Sequence, residues 1–354
     1  MSNSETIHAM KLPVLKTNSW LRLILAIACT VSLSAHAADQ KIPVILDSDI
    51  GDDIDDTWAL GLVLKSPELD LKLVVTDYGK VNYRPLIAAK FLERVGRTDV
   101  AVGVGVDAKA QGDGPQAEWI KGYNLQAYPG KVHSDGVQAM IDVIMKSEQP
   151  VTLICIGPLP NIAAALKREP RIAEKTRFVG MHGSVRVGYG GNKSKVDAEW
   201  NVKADSKACQ KTFAAPWEIT ITPLDTCGLI VLRGDRYAKV RDSRDPVAQA
   251  IVENYRIWTG AQNKGNTKAA DERSSTLFDC VAVYLALSQD LYKMEKLGLK
   301  ITDDGFTRID ETRKMVNTAT EWKDQGAFED LLVNRVTGKP STPRHQTGAN
   351  GWSE

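Results

Sequence analysis

The sequence predicts an α/β fold: a Rossmann-like layered domain with a mainly parallel central sheet flanked by helices. Three observations carry this. Runs rich in β-branched residues alternate with runs of helical length almost without exception as far as Asp225. The first run, "IPVILDSD", ends in aspartates and leads directly into a helix. No internal repeat and no clear linker divides the chain, so a single domain over residues 38–337 is expected.

In order, "IPVILDSD" is a strand with Pro43 at its start, and "DDTWALGLVLKS" a helix opening on acidic residues and ended by Pro67. "LDLKLVVTDYG" is the second strand, and "RPLIAAKFLERVGR" a helix with Pro85 in its first turn. "VAVGVG" is a strand, "DGVQAMIDVIMKS" a helix, and "PVTLICIGPLPNIAAALKREP" a strand, a Gly-Pro turn and a helix. "TRFVGMHGS" is a strand, "KADSKACQKTFAA" a helix and "WEITITPLD" a strand. Beyond Asp225 come two helices, "DPVAQAIVENYRIWTGAQ" and "STLFDCVAVYLALSQ", and then the β-rich "KLGLKITDDGFTRIDETRK". The Gly-, Pro-, Ser- and Thr-rich residues 338–354 read as a flexible tail.

Residues 1–37 have the pattern of a signal peptide. Lys11, Lys16 and Arg22 precede the apolar "LRLILAIACTVSLSA", which is too short to span a membrane, and "AHA" offers a cleavage site after Ala37. An exported, periplasmic or secreted protein is therefore expected. Removal of the leader leaves 42 basic against 43 acidic residues, a balance that gives no support to nucleic-acid binding. Cys155, Cys209, Cys227 and Cys280 remain, without metal-binding spacing. Cys155 and Cys280 lie in apolar runs, and pairing of Cys209 with Cys227 is left open.

The chemistry concentrates after the first strand. "DSDIGDDIDD" places six aspartates between Asp47 and Asp56. In open parallel sheets ligands bind at this carboxyl end of the strands. A capped, solvated acidic turn is the plain reading. A phosphate site is rejected, because six carboxylates repel an anion. A calcium-binding helix-loop-helix fails because Asp52 and Trp58 occupy the positions that need Gly and Glu. A haloacid dehalogenase-type phosphatase also begins with two alternating aspartates, but Gly51 stands where it has Thr or Val. A hard divalent cation held by oxygen ligands remains.

Here the chain resembles the inosine-uridine preferring nucleoside hydrolases, whose opening signature is close to DTDPGxDDA. "DSDIGDDIDDTWA" matches it from both ends with two extra residues inside. "CIGPLPNIAAAL", "MHGS", "GNKSKVDAEWNVKADSKA" and "STLFDCVAV" are similar, in order, to later segments of the family. The resemblance implies that Asp49, Asp56, Asp279 and the Ile156 carbonyl bind Ca²⁺. Asp49 would accept a proton from an attacking water as the N-glycosidic bond of a ribonucleoside, or of a related ribosyl compound, is cleaved. It further implies that Asp55, Asn192, Glu199 and Asn201 hold the sugar, while Asp47 orients its neighbours. Phe278 stands where many members carry a histidine that protonates the leaving base, so His133, His182, Tyr255 and Trp258 become the candidates for the base site. Lys80 is the nearest match to a family asparagine near the reaction centre. The implied partners are a small ribosyl substrate and a second copy of the chain in a homo-oligomer. Neither nucleic acid nor, once the leader is gone, a membrane is among them. A non-catalytic ribosyl-binding protein that keeps the metal site is the alternative.

Overall fold

The computed structural model describes residues 41–108 and 110–339. The predicted signal peptide, and the tail apart from Gly338 and Lys339, lie outside them. The described residues build one ten-stranded sheet in the order β4-β3-β2-β1-β5-β6-β7-β10-β8-β9. Its strands are β1 (Ile42–Ser48), β2 (Leu69–Thr76), β3 (Ala101–Gly103), β4 (Val132–His133), β5 (Val151–Cys155), β6 (Thr176–Met181), β7 (Glu218–Thr222), β8 (Tyr292–Ile301), β9 (Thr307–Ile309) and β10 (Met315–Trp322). Pairings from β4 through β7 to β10 are parallel, and β10–β8 and β8–β9 are antiparallel.

The sheet is mostly parallel because the early strands β1, β2, β4 and β5 are each followed by a crossover helix, while β3 reaches β4 through a long loop with two short 3-10 turns. These helices are α1 (Asp55–Leu64), α2 (Arg84–Arg94), α3 (Gly136–Lys146) and α4 (Pro160–Arg168). Side chains alternate along β1, so Val44 and Leu46 enter one core while Ile45 enters the core on the opposite face. Such a strand reads as a continuous apolar run because both of its faces are covered. Burial of α1 on nearly every side, with Trp58 fully enclosed, follows from its place between the sheet and two later helices, α9 (Pro246–Gln262) and α11 (Phe278–Leu285).

The structure departs from the sequence reading in four places. The stretch around Lys203 breaks into α5 (Trp200–Ala204) and α6 (Ser206–Ala214), because Asp205 leaves helical geometry to accept the Ala208 N–H as a cap. Helix α11 starts at Phe278, three residues later than read, with Leu277 as its N-cap and Asp279 in its first turn. In α1 likewise the N-cap is Ile54, and Asp55 and Asp56 occupy the first turn. Met315–Trp322 and α12 (Gln325–Val336), unassigned from the sequence, supply the strand that joins β7 to β8 and a helix buried along Phe328 and Leu332.

Strand β1 lies between β2 and β5, so chain order reverses at its carboxyl end. That reversal opens the crevice in which such sheets hold ligands. The turn after β1 and the residue after β5 meet there, with the Ile156 N–H donating to the Asp47 carbonyl at 2.9 Å.

Candidate active site

A cavity of about 490 Å³, counted to its open mouth, occupies the switch point. Asp49, Asp55 and Asp56 reach it from the β1–α1 turn, Ile156 from the end of β5, Glu199 and Asn201 from the start of α5, and Asp279 from α11. One carboxylate oxygen each from Asp55, Asp56 and Asp279 lies within 4.8 Å of the others, and all three residues are buried. Asp49 lines the same cavity outside that closest trio. Asp55 thus stands beside the two carboxylates of this trio that the resemblance assigns to metal.

The first turn of α1 brings Asp55 and Asp56 inward, and the Ser48 hydroxyl, at the last position of β1, donates to Asp56 Oδ1 at 2.6 Å. The Asp279 backbone N–H donates to Asp55 Oδ2 at 3.3 Å. Glu199 caps α5, accepting N–H bonds from Asn201, Gly183 and Val202 at 2.7, 2.9 and 3.2 Å. Asn201 donates to the Ile156 and Met181 carbonyls at 3.1 and 3.0 Å.

Burial raises the pKa values of this cluster, because a carboxylate without water or a counter-charge is disfavoured. Asp47 is pushed up to about 7 and Asp49 to about 6, the latter with Arg84 pulling the other way. Asp55, Asp56 and Asp279 are driven well above the usual carboxylate range, by burial first and then by neighbouring carboxylates: Asp53 on Asp55, Asp49 on Asp56, and Asp55 on Asp279. Burial also lifts Glu199 to about 7. Deeper still, both carboxylate oxygens of Asp77 and one of Asp47 are buried without a hydrogen-bond partner. Several acceptor-only groups converging on one space, with their own hydrogen bonds insufficient to hold them ionised, fit a hard divalent cation.

The positive charge inside the protein comes from a residue that sequence reasoning passed over. Arg84, fully buried at the start of α2, donates to the Asp49 carbonyl, to the Ile50 carbonyl at 3.1 Å and to the Asp52 carboxylate at 2.8 Å. Lys80 pairs with the other oxygen of Asp52. The Tyr83 hydroxyl donates to the Gly51 carbonyl at 2.9 Å, and the Trp258 indole N–H to the Asp52 carbonyl at 2.9 Å. Gly51 itself has φ +112°, and a Cβ there would lie 2.5 Å from the Tyr83 ring, so only glycine fits the bend. The two-residue expansion at Asp52 and Asp53 is thus pinned from three sides, and Lys80 is committed to Asp52. Asn161 on α4 also escaped notice. Its amide donates to Asp47 Oδ1 at 2.8 Å and to the Thr76 carbonyl at 3.0 Å, tying β1, β2 and α4 together.

Three of the residues expected at the site lie elsewhere. Asn192 is turned to a local loop, where its carbonyl oxygen accepts from the Ser194 N–H and hydroxyl. Tyr189 and Trp200 line the cavity instead. The Tyr189 hydroxyl accepts the Trp200 N–H at 2.9 Å, and its ring meets Phe278 edge-on. His133 lies on edge strand β4, three strands from β1, which at sheet spacing is roughly 14 Å away. His182 is fully buried, packed on Phe178 and Phe213, and its Nε2–H donates to the Gly157 carbonyl at 3.1 Å. Burial holds its ring neutral, with a pKa lowered to about 4. Tyr255 and Trp258 line a second cavity of about 1100 Å³ with its mouth, and Asp53 and Phe278 border both spaces. All four described cysteines are free and buried, so Cys209 and Cys227 are not paired.

A mostly parallel α/β sheet with an acidic, cation-fitting cavity at its switch point defines a ligand site of the kind open α/β sheets carry. Residues 44–330 match the family described as inosine-uridine preferring nucleoside hydrolase, and the chain belongs to that family. It is similar to the non-specific ribonucleoside hydrolase RihC of Klebsiella pneumoniae, with 30% identity over 237 residues, 64% of this chain and 75% of the relative. It is also similar to the pyrimidine-specific ribonucleoside hydrolase RihA of Photobacterium profundum, with 31% identity over 60% of this chain and 69% of the relative. Among solved structures, a plant nucleoside hydrolase superposes with a TM-score of 0.70 at 21% identity, covering 84% of this chain and 99% of the plant one. The purine-preferring ribonucleoside hydrolase of Gardnerella vaginalis gives 0.68 at 24% identity, covering 84% and 98%. The protein is a glycosidase of the nucleoside hydrolase type.

Proposed function

We propose that the chain hydrolyses the N-glycosidic bond of ribonucleosides or related ribosyl compounds, with Ca²⁺ held in the acidic cavity. The observation that carries this reading is the convergence of the Asp55, Asp56 and Asp279 carboxylates within 4.8 Å at the switch point of a sheet of this family. Asp56, Asp279, Asp49 and the Ile156 carbonyl would hold the cation, with Asp55 close enough to share it or to grip ribose hydroxyls. Bound there, the cation lowers the pKa of a water and neutralises the carboxylates around it. Asp49, lining the same cavity beside that water, would take up its proton. Glu199 presents its charge to the sugar side, where positive charge develops at the anomeric carbon. Asn201 holds the Ile156 carbonyl and the Met181 carbonyl in place.

The non-specific and pyrimidine-specific activities in the names of the curated relatives support ribonucleoside chemistry and leave the base open. The leader of residues 1–37 supports an exported enzyme working on nucleosides outside the cytoplasm. The test is release of reducing sugar from a nucleoside panel by the purified mature protein with Ca²⁺, alongside calorimetric titration of the cation. Turnover that is abolished by chelation and restored by Ca²⁺ is expected. Saturable cation and ribose binding with no sugar released from any riboside would instead identify a binding protein.

A further inference from the structure

On the face of the sheet away from α1 and α11, three neighbouring strands end in polar groups. Ile45 on β1, Leu73 and Val75 on β2 and Leu153 on β5 pack into the core on that face. Alternation carries Asp47, Asp77 and Cys155 to the same face. The Asp77 N–H donates to the Ser48 carbonyl at 2.8 Å, so β2 stays paired to β1 one residue past its end. Neither Asp47 nor Asp77 lines the switch-point cavity, and both are fully enclosed. Asp47 Oδ1 accepts from the Asn161 amide at 2.8 Å, but Asp47 Oδ2 and both oxygens of Asp77 have no hydrogen-bond partner among the described residues. The Tyr78 N–H favours the charge of Asp77 without reaching hydrogen-bond geometry. Burial first and Asp47 next oppose that charge. Arg84, committed to the Asp49 and Ile50 carbonyls and to Asp52, offsets it least.

Two buried carboxylates on one face, without a counter-charge of their own, call for positive charge between them. We propose that Asp47 and Asp77 hold a second Ca²⁺ behind β1, separate from the cation proposed for the cavity. Three free carboxylate oxygens supply hard donors, and two negative charges match one divalent cation. Cys155, at the end of β5, does not turn the site toward a softer metal, because burial and the charges of Asp47 and Asp77 hold its thiol protonated. Asn161 closes one side, since its amide bridges Asp47 and the Thr76 carbonyl. The inner cation ties the end of β1 to the end of β2, directly before the turn from which Asp49 enters the cavity. Its task is to fix that turn, and it takes no part in bond cleavage.

The experiment counts Ca²⁺ per chain by equilibrium dialysis of the cation-stripped mature protein against radioactive Ca²⁺, up to about 1 mM free cation, where extracellular sites fill. Two per chain are expected for the wild type. Asp77→Asn is expected to bind one, with the affinity of the remaining site changed less than about threefold. Asp279→Asn is expected to weaken only the other site. Thermal melts separate a cation ligand from a merely structural acceptor. In chelator Asp77→Asn should melt no lower than the wild type, because one of two unpaired charges is gone, and in Ca²⁺ it should melt lower; a structural role lowers the melt in both. One Ca²⁺ in the wild type, weakened by Asp279→Asn and kept by Asp77→Asn, overturns the inner site and leaves the hydrolase reading standing. One that follows Asp77 and not Asp279 sustains the inner site and overturns the cavity's cation. Two that persist in both Asp77→Asn and Asp47→Asn place the second ion elsewhere and overturn this inference. Should Asp77→Asn not fold, Asp47→Asn and the wild-type count decide.

Discussion

Replacing Arg84 with methionine keeps most of the stem's volume and removes the guanidinium around which the acidic turn is folded. Three contacts go with it. The bond to Asp52 is the least of them, because that carboxylate is about one-third exposed (32%) and keeps Lys80 as a partner. The bonds to the Asp49 and Ile50 carbonyls matter more, since both groups are buried and each unsatisfied carbonyl costs about 1–3 kcal/mol. The expected loss is therefore about 2–5 kcal/mol in cation-free protein at pH 8. Its dependence on pH follows from the carboxyls nearby. Burial raises Asp47 to about 7 and Asp49 to about 6. A group whose folded pKa lies above its unfolded value contributes stability in full below the unfolded value, near 4, and loses it as pH rises through the folded one. Between pH 5 and pH 8 the cation-free protein thus gives up stability, and without Arg84 to oppose the rise the variant gives up more. Urea unfolding followed by tryptophan fluorescence at both pH values, in chelator, measures this. A loss under about 0.5 kcal/mol, or one that is the same at pH 5 and pH 8, would refute the claim that Arg84 is the internal counter-charge.

Three further outcomes are expected. Saturating Ca²⁺ should raise the melting temperature of the wild type more at pH 8 than at pH 5, because protons compete for the raised carboxyls of Asp55, Asp56 and Asp279; equal shifts in a thermal melt would argue against binding at this cluster. Asp279→Asn should weaken Ca²⁺ about 100-fold or more in calorimetry while secondary structure by circular dichroism is kept, since it removes one of the three converging carboxylates; unchanged affinity would place the cation elsewhere. His182→Gln should leave the pH–rate profile between 5 and 8 unchanged in shape, because the buried imidazole is already neutral throughout that range; loss of a limb near pH 6 would show that it titrates during turnover.

The aspartates of the site were legible because their positions follow from local rules. Alternation along β1 and the first turn of α1 together aim Asp49, Asp55 and Asp56 at the carboxyl edge of the sheet, and Asp279 declares itself at the opening of an apolar helix. The alternating pattern also disclosed the strands as far as β7, apart from the two-residue β4. What stayed hidden depends on pairings over long separations. Arg84 reads locally as an ordinary first-turn residue before Pro85, and its role appears only when β2 is laid beside β1 so that α2 starts under the acidic turn. The signal was present in one form: six aspartates in ten positions demand a counter-charge, and the neighbouring strand is followed by Lys80 in its loop and Arg84 at the first position of α2. Strand β10 escaped for a different reason. "MVNTATEW" is half polar, yet Thr318 and Thr320 are buried because the strand runs inside the sheet between β7 and β8. Asn192 shows the reverse error, in which a matching segment does not guarantee a matching side chain. The two glycines before it, Gly190 and Gly191, take positive φ, and they swing Tyr189 toward Phe278 while Asn192 folds back on Ser194. The cavity wall thus keeps Glu199 and Asn201, which the start of α5 fixes, and changes where the loop is free to bend. The aromatic wall that results, from Tyr189 to Phe278 and on to Trp258, is continuous with the turn, because the Trp258 indole is bonded to the Asp52 carbonyl. The indole of Trp258 is therefore tied directly to the turn that carries the cavity's aspartates.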